Sequence, residues 1–379
     1  MAATALLALA YLAQQAGRDW LDDLSHVIRV PEEEPETATT IRYFVAVRVQ
    51  YHDNFFAVES GREGDVGIIS LARADLVAAN PTGSHSLHLL SNYNAYLDHP
   101  GANSDEHRLL GKSEWHWTRG FLEISDLFRY ESEPLDPQLV RRAARISNDA
   151  TARGGLGLSG RFGVEASAHA SVLDFLKRGP DDSDNTQFGG TLAAVYAPTE
   201  TLDLLVDAGY EKIDYVRRPD SDARSVQAGC RYTWSERTSM SAFAGYSEVE
   251  TRSRKESNLV FQAGLTWEMS ERNGLWVEAS RSARFSVLGD FQFLTRAQAA
   301  WRHGLSSRLV LLASATYELS ETPRIGDRSR FLGRSELIWE ASDLLQFGFG
   351  YLHRRGVAGE PSAVYSENIV FIQAGLSGP

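Results

Sequence analysis

The stretch Ile41-Arg42-Tyr43-Phe44-Val45-Ala46-Val47-Arg48-Val49-Gln50-Tyr51 decides the fold. Ile41, Tyr43, Val45, Val47, Val49 and Tyr51 fall on one face, and Arg42, Phe44, Ala46, Arg48 and Gln50 fall on the other. This is the period of two that a strand with one apolar side requires. The alternation returns further along the chain: Leu259, Phe261, Ala263, Leu265 and Trp267 oppose Asn258, Val260, Gln262, Gly264, Thr266 and Glu268. Val226, Ala228, Cys230, Tyr232 and Trp234 do the same, as do Val164, Ala166, Ala168, Ala170 and Val172, and Leu345, Phe347, Phe349 and Tyr351. From residue 41 onward a helical period never takes over. Strand centres fall near residues 46, 71, 90, 112, 125, 153, 168, 191, 208, 229, 245, 263, 280, 297, 313, 334, 349 and 371, which predicts about 18 strands, within a range of 16–20.

Connection length alternates as well. Short turns stand at Thr118-Arg119-Gly120, Gly160-Arg161-Phe162, Pro198-Thr199-Glu200, Ser235-Glu236-Arg237-Thr238, Ser270-Glu271-Arg272-Asn273, Gly304-Leu305-Ser306-Ser307 and Ala341-Ser342-Asp343. Longer polar loops are expected between them at 131–147, 177–185, 217–223, 250–257, 282–290, 321–329 and 354–367. A soluble sandwich has no reason to keep tight turns at one end and loops at the other. A barrel in a bacterial outer membrane does, with turns in the periplasm and loops outside.

The aromatics sort in the same way. Trp117, Trp234, Trp267, Trp301 and Trp339 stand near the turns on the apolar register, and Tyr130, Tyr210, Tyr246, Tyr317 and Tyr351 stand toward the loops. Two such rings match the girdles at the two membrane interfaces. The opposite register holds Arg42, Arg48, Arg73, Asp75, Arg108, Lys112, Glu114, Glu123, Arg129, Arg153, Glu165, Asp203, Asp207, Arg231, Glu268, Glu278, Arg296, Glu318, Arg334 and Glu336. So many charges are tolerated only where they face water or one another, so this register lines a lumen. Two arrangements remain open. Basic rows at Arg153, Arg231, Arg296 and Arg334 could face acidic positions at Asp203, Asp207, Glu268 and Glu318 across the bore, or the same residues could pair along the wall.

Composition narrows the function classes. The 379 residues carry 38 basic and 50 acidic side chains, a net charge of −12, which offers no general field for gripping nucleic acid. The single cysteine, Cys230, excludes an intramolecular disulfide and a thiolate metal cluster. Residues 1–39 read as an apolar, alanine-rich segment, a partial secretory signal or a helix, followed by the acidic linker Pro31-Glu32-Glu33-Glu34-Pro35-Glu36; residues 40–379 read as the barrel. The long loop at 131–147 and the N-terminal helix are the candidates for filling the bore.

Catalytic signatures are sparse. GxGxxG, GxSxG, HExxH and the P-loop are all missing. His169 with Ser167 and Ser171 is the best local cluster, but it lies on the lumen register. His85 and His88 follow a short turn, and His52, His99 and His107 are assigned to loops. No catalytic residue, cofactor site or metal site is predicted, and the chain is not expected to be an enzyme. A lipid hydrolase would need Ser and His on adjacent lipid-facing strand positions.

The segment Tyr51-His52-Asp53-Asn54-Phe55-Phe56, followed by an acidic loop and the strand Asp65-Val66-Gly67-Ile68-Ile69, resembles the opening of the β-barrel porin family associated with exopolysaccharide and PEP-CTERM (exosortase) gene clusters. The run Leu90-Ser91-Asn92-Tyr93-Asn94-Ala95-Tyr96 and the Asn/Asp-rich loop Ala102-Asn103-Ser104-Asp105-Glu106-His107 carry the resemblance further. It implies an outer-membrane barrel that passes a solute or polymer. Its partners would be membrane lipid and lipopolysaccharide, with polysaccharide or periplasmic export components as further candidates. The alternative is a blocked adaptor barrel that binds such partners. Outer-membrane barrels usually finish on an aromatic residue; this chain ends Ile372-Gln373-Ala374-Gly375-Leu376-Ser377-Gly378-Pro379, and Phe371 is the candidate to serve instead.

Overall fold

The structure is a computed structural model that describes residues 38–55, 62–132, 144–176, 184–252, 254–285, 291–322, 326–358 and 364–378. The period-two runs form β1 (Ala38–His52), β2 (Asp65–Asn80), β3 (Gly83–Tyr96), β4 (Ser104–Trp117), β5 (Gly120–Glu131) and β6 (Arg145–Gly157). They continue as β7 (Phe162–Phe175), β8 (Asn185–Tyr196), β9 (Leu202–Tyr215), β10 (Ser221–Ser235), β11 (Thr238–Thr251) and β12 (Arg254–Ser270). The last six are β13 (Asn273–Phe285), β14 (Phe291–Gly304), β15 (Leu309–Thr322), β16 (Gly326–Glu340), β17 (Leu345–Ala358) and β18 (Tyr365–Gly378). Every expected strand centre lies inside its strand. The N-terminal segment 1–37 and the middles of the loops expected at 131–147, 177–185, 282–290 and 354–367 lie outside the described residues.

Each strand pairs antiparallel with its neighbour, and β1 pairs with β18 from Tyr43↔Gly378 to His52↔Ile369, which closes the sheet. Closure removes the free edge between the first and last strands, the condition for a sheet to sit in hydrocarbon. Side chains reinforce the seam. Arg48 donates to Gln373 Oε1 at 2.7 Å, Asn54 Nδ2 donates to the Ser366 carbonyl at 2.9 Å, and Asn368 donates through its backbone and its amide to the two Asp53 carboxylate oxygens at 2.6 Å each.

The pleat sorts the side chains. On β1, Val45, Val47 and Val49 are each 49% exposed, whereas Phe44, Ala46 and Arg48 between them are 6%, 3% and 3% exposed. The same exposed apolar register runs round the cylinder through Leu89, Leu109, Phe128, Leu192, Val226, Leu259, Phe349 and Ile372. A belt of this extent suits lipid and would aggregate in water. The molecule is an outer-membrane-type barrel. Trp117, Trp234, Trp267, Trp301 and Trp339 all take the outward register within three residues of the turn end of their strands. Tyr210, Tyr246, Tyr317 and Tyr351 are exposed on it, and Tyr130 shares it through its pairing with His107, all toward the loop end. Asp126 is a mid-strand exception, exposed between Ile124 and Phe128, and nothing in the structure explains it.

Serine recurs at the turns for a local reason. Ser235, Ser270, Ser306 and Ser342 accept hydrogen bonds at 3.2–3.3 Å from the backbone N–H two residues on, so each hydroxyl closes its own turn.

Several expectations need correction. The loops expected at 250–257 and 321–329 are mostly strand, since β11 runs to Thr251 and β12 starts at Arg254, while β15 runs to Thr322 and β16 starts at Gly326. Beyond the membrane both faces of a strand meet water, so alternation fades while pairing persists; Lys255 Nζ lies 2.8 Å from Glu248 Oε1 across that hairpin. His52 and His107 stand on strands, not in loops, because β1 reaches His52 and β4 begins at Ser104. Phe371, named above as the candidate terminal aromatic, takes the inward register. It is 2% exposed, opposite Gly350, where any Cβ would overlap its ring.

Val47 lies on the outward register midway along β1. Val47→Arg is expected to lower folding stability in lipid vesicles by about 2–4 kcal/mol, and Val47→Leu to leave it nearly unchanged. Reversible urea titration followed by tryptophan fluorescence measures both; equal stability of the Arg and Leu variants would contradict a lipid-facing position.

Candidate functional site

The inner wall is the candidate site, and its charges are arranged in pairs. Arg42 stands opposite Asp75. Arg48 binds Gln373 and lies 4.2 Å above the centre of the Phe371 ring. Arg153 and Arg231 converge on Glu165: Arg231 donates to both carboxylate oxygens at 2.8 and 2.9 Å, and Arg153 donates to Oε2 at 2.8 Å. Asp203 is register-paired with Arg231, and Asp207 with Gln227. Arg296 pairs with Glu318 Oε1, while Arg330 takes Glu318 Oε2 at 2.6 Å. Arg334 pairs with Glu336, and Glu268 stands exposed near the turn end, opposite Gly274.

These links run mostly along the wall, and Arg231 reaches from β10 back to β7. Each shared carboxylate holds two guanidinium groups, so removing one arginine leaves the other paired, whereas removing the carboxylate strands two cations in a half-buried place. Sequence reading picked out many of the charges but missed several partners, among them Gln373, Arg330 and the buried pair His52–Glu367, whose Nδ1–Oε1 distance is 2.6 Å. Only the strand register brings these together, since His52 and Glu367 lie at opposite ends of the chain. The Ser167–His169–Ser171 cluster does not assemble as a unit: Ser167 bonds Thr191 Oγ1 at 2.7 Å. Among the described residues no group of His, Cys, Asp and Glu is placed to hold a metal ion.

One sector of the wall is not polar. Phe44, Ala46, Ile69, Leu71, Leu90 and Ile338 line an apolar niche of about 40 Å³, bordered by Arg48, Arg73 and Glu336. The inward register there mixes a greasy floor with charged walls, an environment suited to a group that is itself apolar at one end and polar at the other.

The loop end carries a second departure from a plain cylinder. β12 and β13 pair only from Phe261↔Arg281 toward the turn, although both strands extend further. Beyond that point β13 stays paired with β14 up to Phe285↔Phe291. Ala283, Phe285, Phe291 and Phe293 belong to the outward register of this hairpin, yet they pack against Ala223 and Val249, which belong to the inward register of β10 and β11. An outward face can touch an inner wall only if the hairpin has left the wall and folded into the lumen. Phe291 and Val249 are both 0% exposed, so the contact is dry. At the root of the infold Arg281 grips Glu321 with two hydrogen bonds of 2.8 and 2.7 Å and Thr295 Oγ1 with a third of 2.7 Å. On the hairpin itself the Arg284 guanidinium is near enough to act on the Glu211 and Glu278 carboxylates of the wall. The bore is therefore narrowed at the loop end by a charged hairpin that is anchored through aromatic packing.

Each Phe→Ala change in such a dry contact removes about 3–5 kcal/mol of packing. Phe291→Ala with Phe293→Ala should undock the hairpin while the barrel stays closed, and trypsin should then cut after Arg284 roughly tenfold faster or more. An unchanged cleavage rate in the correctly folded double variant would contradict the inward docking.

No protein-family model matches the chain, and no curated protein matches it. Among solved structures the chain is similar to OccK2 (OpdF) of Pseudomonas aeruginosa, with 13% identity over 89% of this chain and 97% of that one and a TM-score of 0.46. It is similar to a BenF-like porin from Pseudomonas fluorescens Pf-5, with 11% identity over 89% of this chain and 99% of that one and a TM-score of 0.46. It is also similar to the FrpB iron transporter from Neisseria meningitidis, with 9% identity over 85% of this chain and 64% of that one and a TM-score of 0.47. At these values the likenesses say nothing about what this barrel carries.

Proposed function

We propose that the protein is an outer-membrane channel for a small hydrophilic solute, selected by the paired charges of the inner wall at the narrowing made by the β13–β14 hairpin. The observation that carries this reading is the infolded hairpin, whose Phe291 and Phe293 pack on the inner wall at Ala223 and Val249 and so narrow the bore where a solute passes. Eighteen strands make a cylinder wide enough for water without such a device, so an inward hairpin has a physical role in setting what fits. The same narrowing argues against a folded polymer as cargo. A polysaccharide, which the family resemblance would imply, would have to travel as a single extended strand or displace the hairpin.

A second reading is favoured by one specific feature. The apolar niche beside Arg48, Arg73 and Glu336 is a poor lining for water, and a barrel whose lumen is closed on that side would serve as an adaptor that binds a partner.

Planar-bilayer recording of the purified barrel separates the two. Stable open steps are expected, and Arg231→Glu combined with Arg296→Glu should shift the reversal potential in a salt gradient toward cations, because Glu165 and Glu318 each lose one of their two cationic partners while two negative charges are added. Silence of correctly folded protein would favour the adaptor, and open steps with an unmoved reversal potential would place the conducting path away from these residues.

A further inference from the structure

We propose that Ser91, His107 and Asp105 form a separate site on the outer wall, a nucleophile, base and acid set that hydrolyses the carboxylic ester of a membrane lipid. The site lies on the opposite side of the wall from the channel and does not depend on it. Ser91 on β3 and His107 on β4 are directly opposite in register, on the outward face. Ser91 Oγ is 3.0 Å from His107 Nδ1. Asp105 lies two residues nearer the loop end on that face, with Oδ2 3.6 Å from His107 Nε2. This last separation is longer than a hydrogen bond, as catalytic contacts often are before substrate binds.

The base and the acid are each held by a further residue. Ser132, just past β5, donates from Oγ to Asp105 Oδ1 at 2.6 Å and accepts from the Asp105 backbone N–H at 2.8 Å. Tyr130 on β5 stacks on the His107 ring at a centroid distance of 5.8 Å and an interplanar angle of 25°. Three consecutive strands thus supply a nucleophile, a base oriented by an aromatic ring and an acid oriented by a hydroxyl. That chain of roles activates a serine whatever fold carries it.

Depth in the membrane names the substrate. The next outward row toward the turns is Leu89, Leu109 and Phe128, 49%, 40% and 39% exposed, which faces hydrocarbon. Tyr93 and Tyr130 flank the cluster at the level of the tyrosine girdle, and the loop begins just above. Ser91 therefore stands at the boundary between acyl chains and headgroups, where the ester carbonyls of a lipid lie. Tyr93 and Asn103, whose amide reaches the Tyr93 hydroxyl at 3.5 Å, are the polar groups bordering the position.

With the proton on Nε2, His107 Nδ1 accepts the Ser91 hydroxyl proton as Oγ attacks the ester carbonyl. The carbonyl–alkoxy bond then breaks, and the departing lysolipid alkoxide takes that proton from Nδ1. Water, deprotonated by Nδ1, attacks the acyl-serine, releases a fatty acid and restores the Ser91 hydroxyl. Asp105 balances the imidazolium in both halves. A second outward pair provides an internal contrast: His85 Nδ1 lies 3.0 Å from Ser113 Oγ, near Trp115 at the turn end, without an ion-pairing carboxylate among the described residues.

The test uses the folded full chain in mixed micelles of phosphatidylethanolamine and detergent, with fatty-acid release followed by mass spectrometry and a fluorophosphonate probe mapped by peptide analysis. Release and a covalent adduct on Ser91 are expected. Ser91→Ala should abolish both, His107→Ala should lower both by on the order of 10²–10⁴-fold, and Ser113→Ala should change neither. Absence of both signals from folded wild-type barrel, or release that survives Ser91→Ala, would overturn the site. Channel recordings on Ser91→Ala should match the wild type, so failure here and failure of the channel reading are told apart.

Discussion

Backbone hydrogen bonding in hydrocarbon is the constraint on which everything else rests. A strand in lipid cannot leave an N–H or C=O unpaired, so the sheet must return to its own first strand. The β1–β18 seam performs that closure, and its side chains do more than the ladder alone requires. Arg48, Asp53 and Asn54 each reach across it to Gln373, Asn368 and Ser366. Residues at the two ends of the chain therefore become neighbours, and Arg48, Asp53 and Asn54 find partners more than 300 positions away.

Closure also sets the conditions for the inner wall. Once the outer face is committed to lipid, the alternate residues have to share an enclosed space, and the charges there are tolerable because they neutralise one another. Glu165 and Glu318 each hold two arginines, which ties strands together and leaves each carboxylate fully paired. The wall also has apolar stretches, and the loop-end hairpin uses one of them. Phe291 and Phe293 find Val249 and Ala223 because the inner surface near β10 and β11 offers a dry seat. The outer wall is equally uneven. Its polar cluster on β3 and β4 stands where the membrane changes from hydrocarbon to headgroup, the one depth at which a serine, a histidine and a carboxylate can meet lipid without being buried in it.

The fold was legible because lipid-facing alternation is a strong and repetitive signal. In β1, Val45, Val47 and Val49 announce the outward face by themselves, and the tryptophans mark the turn end. Above the membrane the signal weakens. At the tip of the β11–β12 hairpin Glu250, Lys255 and Glu256 give no apolar side, so the sequence there has the look of a loop, although strand pairing and the Lys255–Glu248 charge pair hold it as strand. Phe371 shows what register adds to residue type, since it turns inward over Gly350 and beneath Arg48.

The amino-acid sequence by itself determined that this chain is a closed barrel of about eighteen strands, which register meets lipid and which meets the lumen, since both follow from a period of two that needs no long-range information. Only the tertiary structure decided which charge meets which, that the β13–β14 hairpin leaves the wall, and that Ser91 and His107 stand side by side. These depend on register and shear between strands, and a one-residue slip that leaves the composition untouched would bring different partners together.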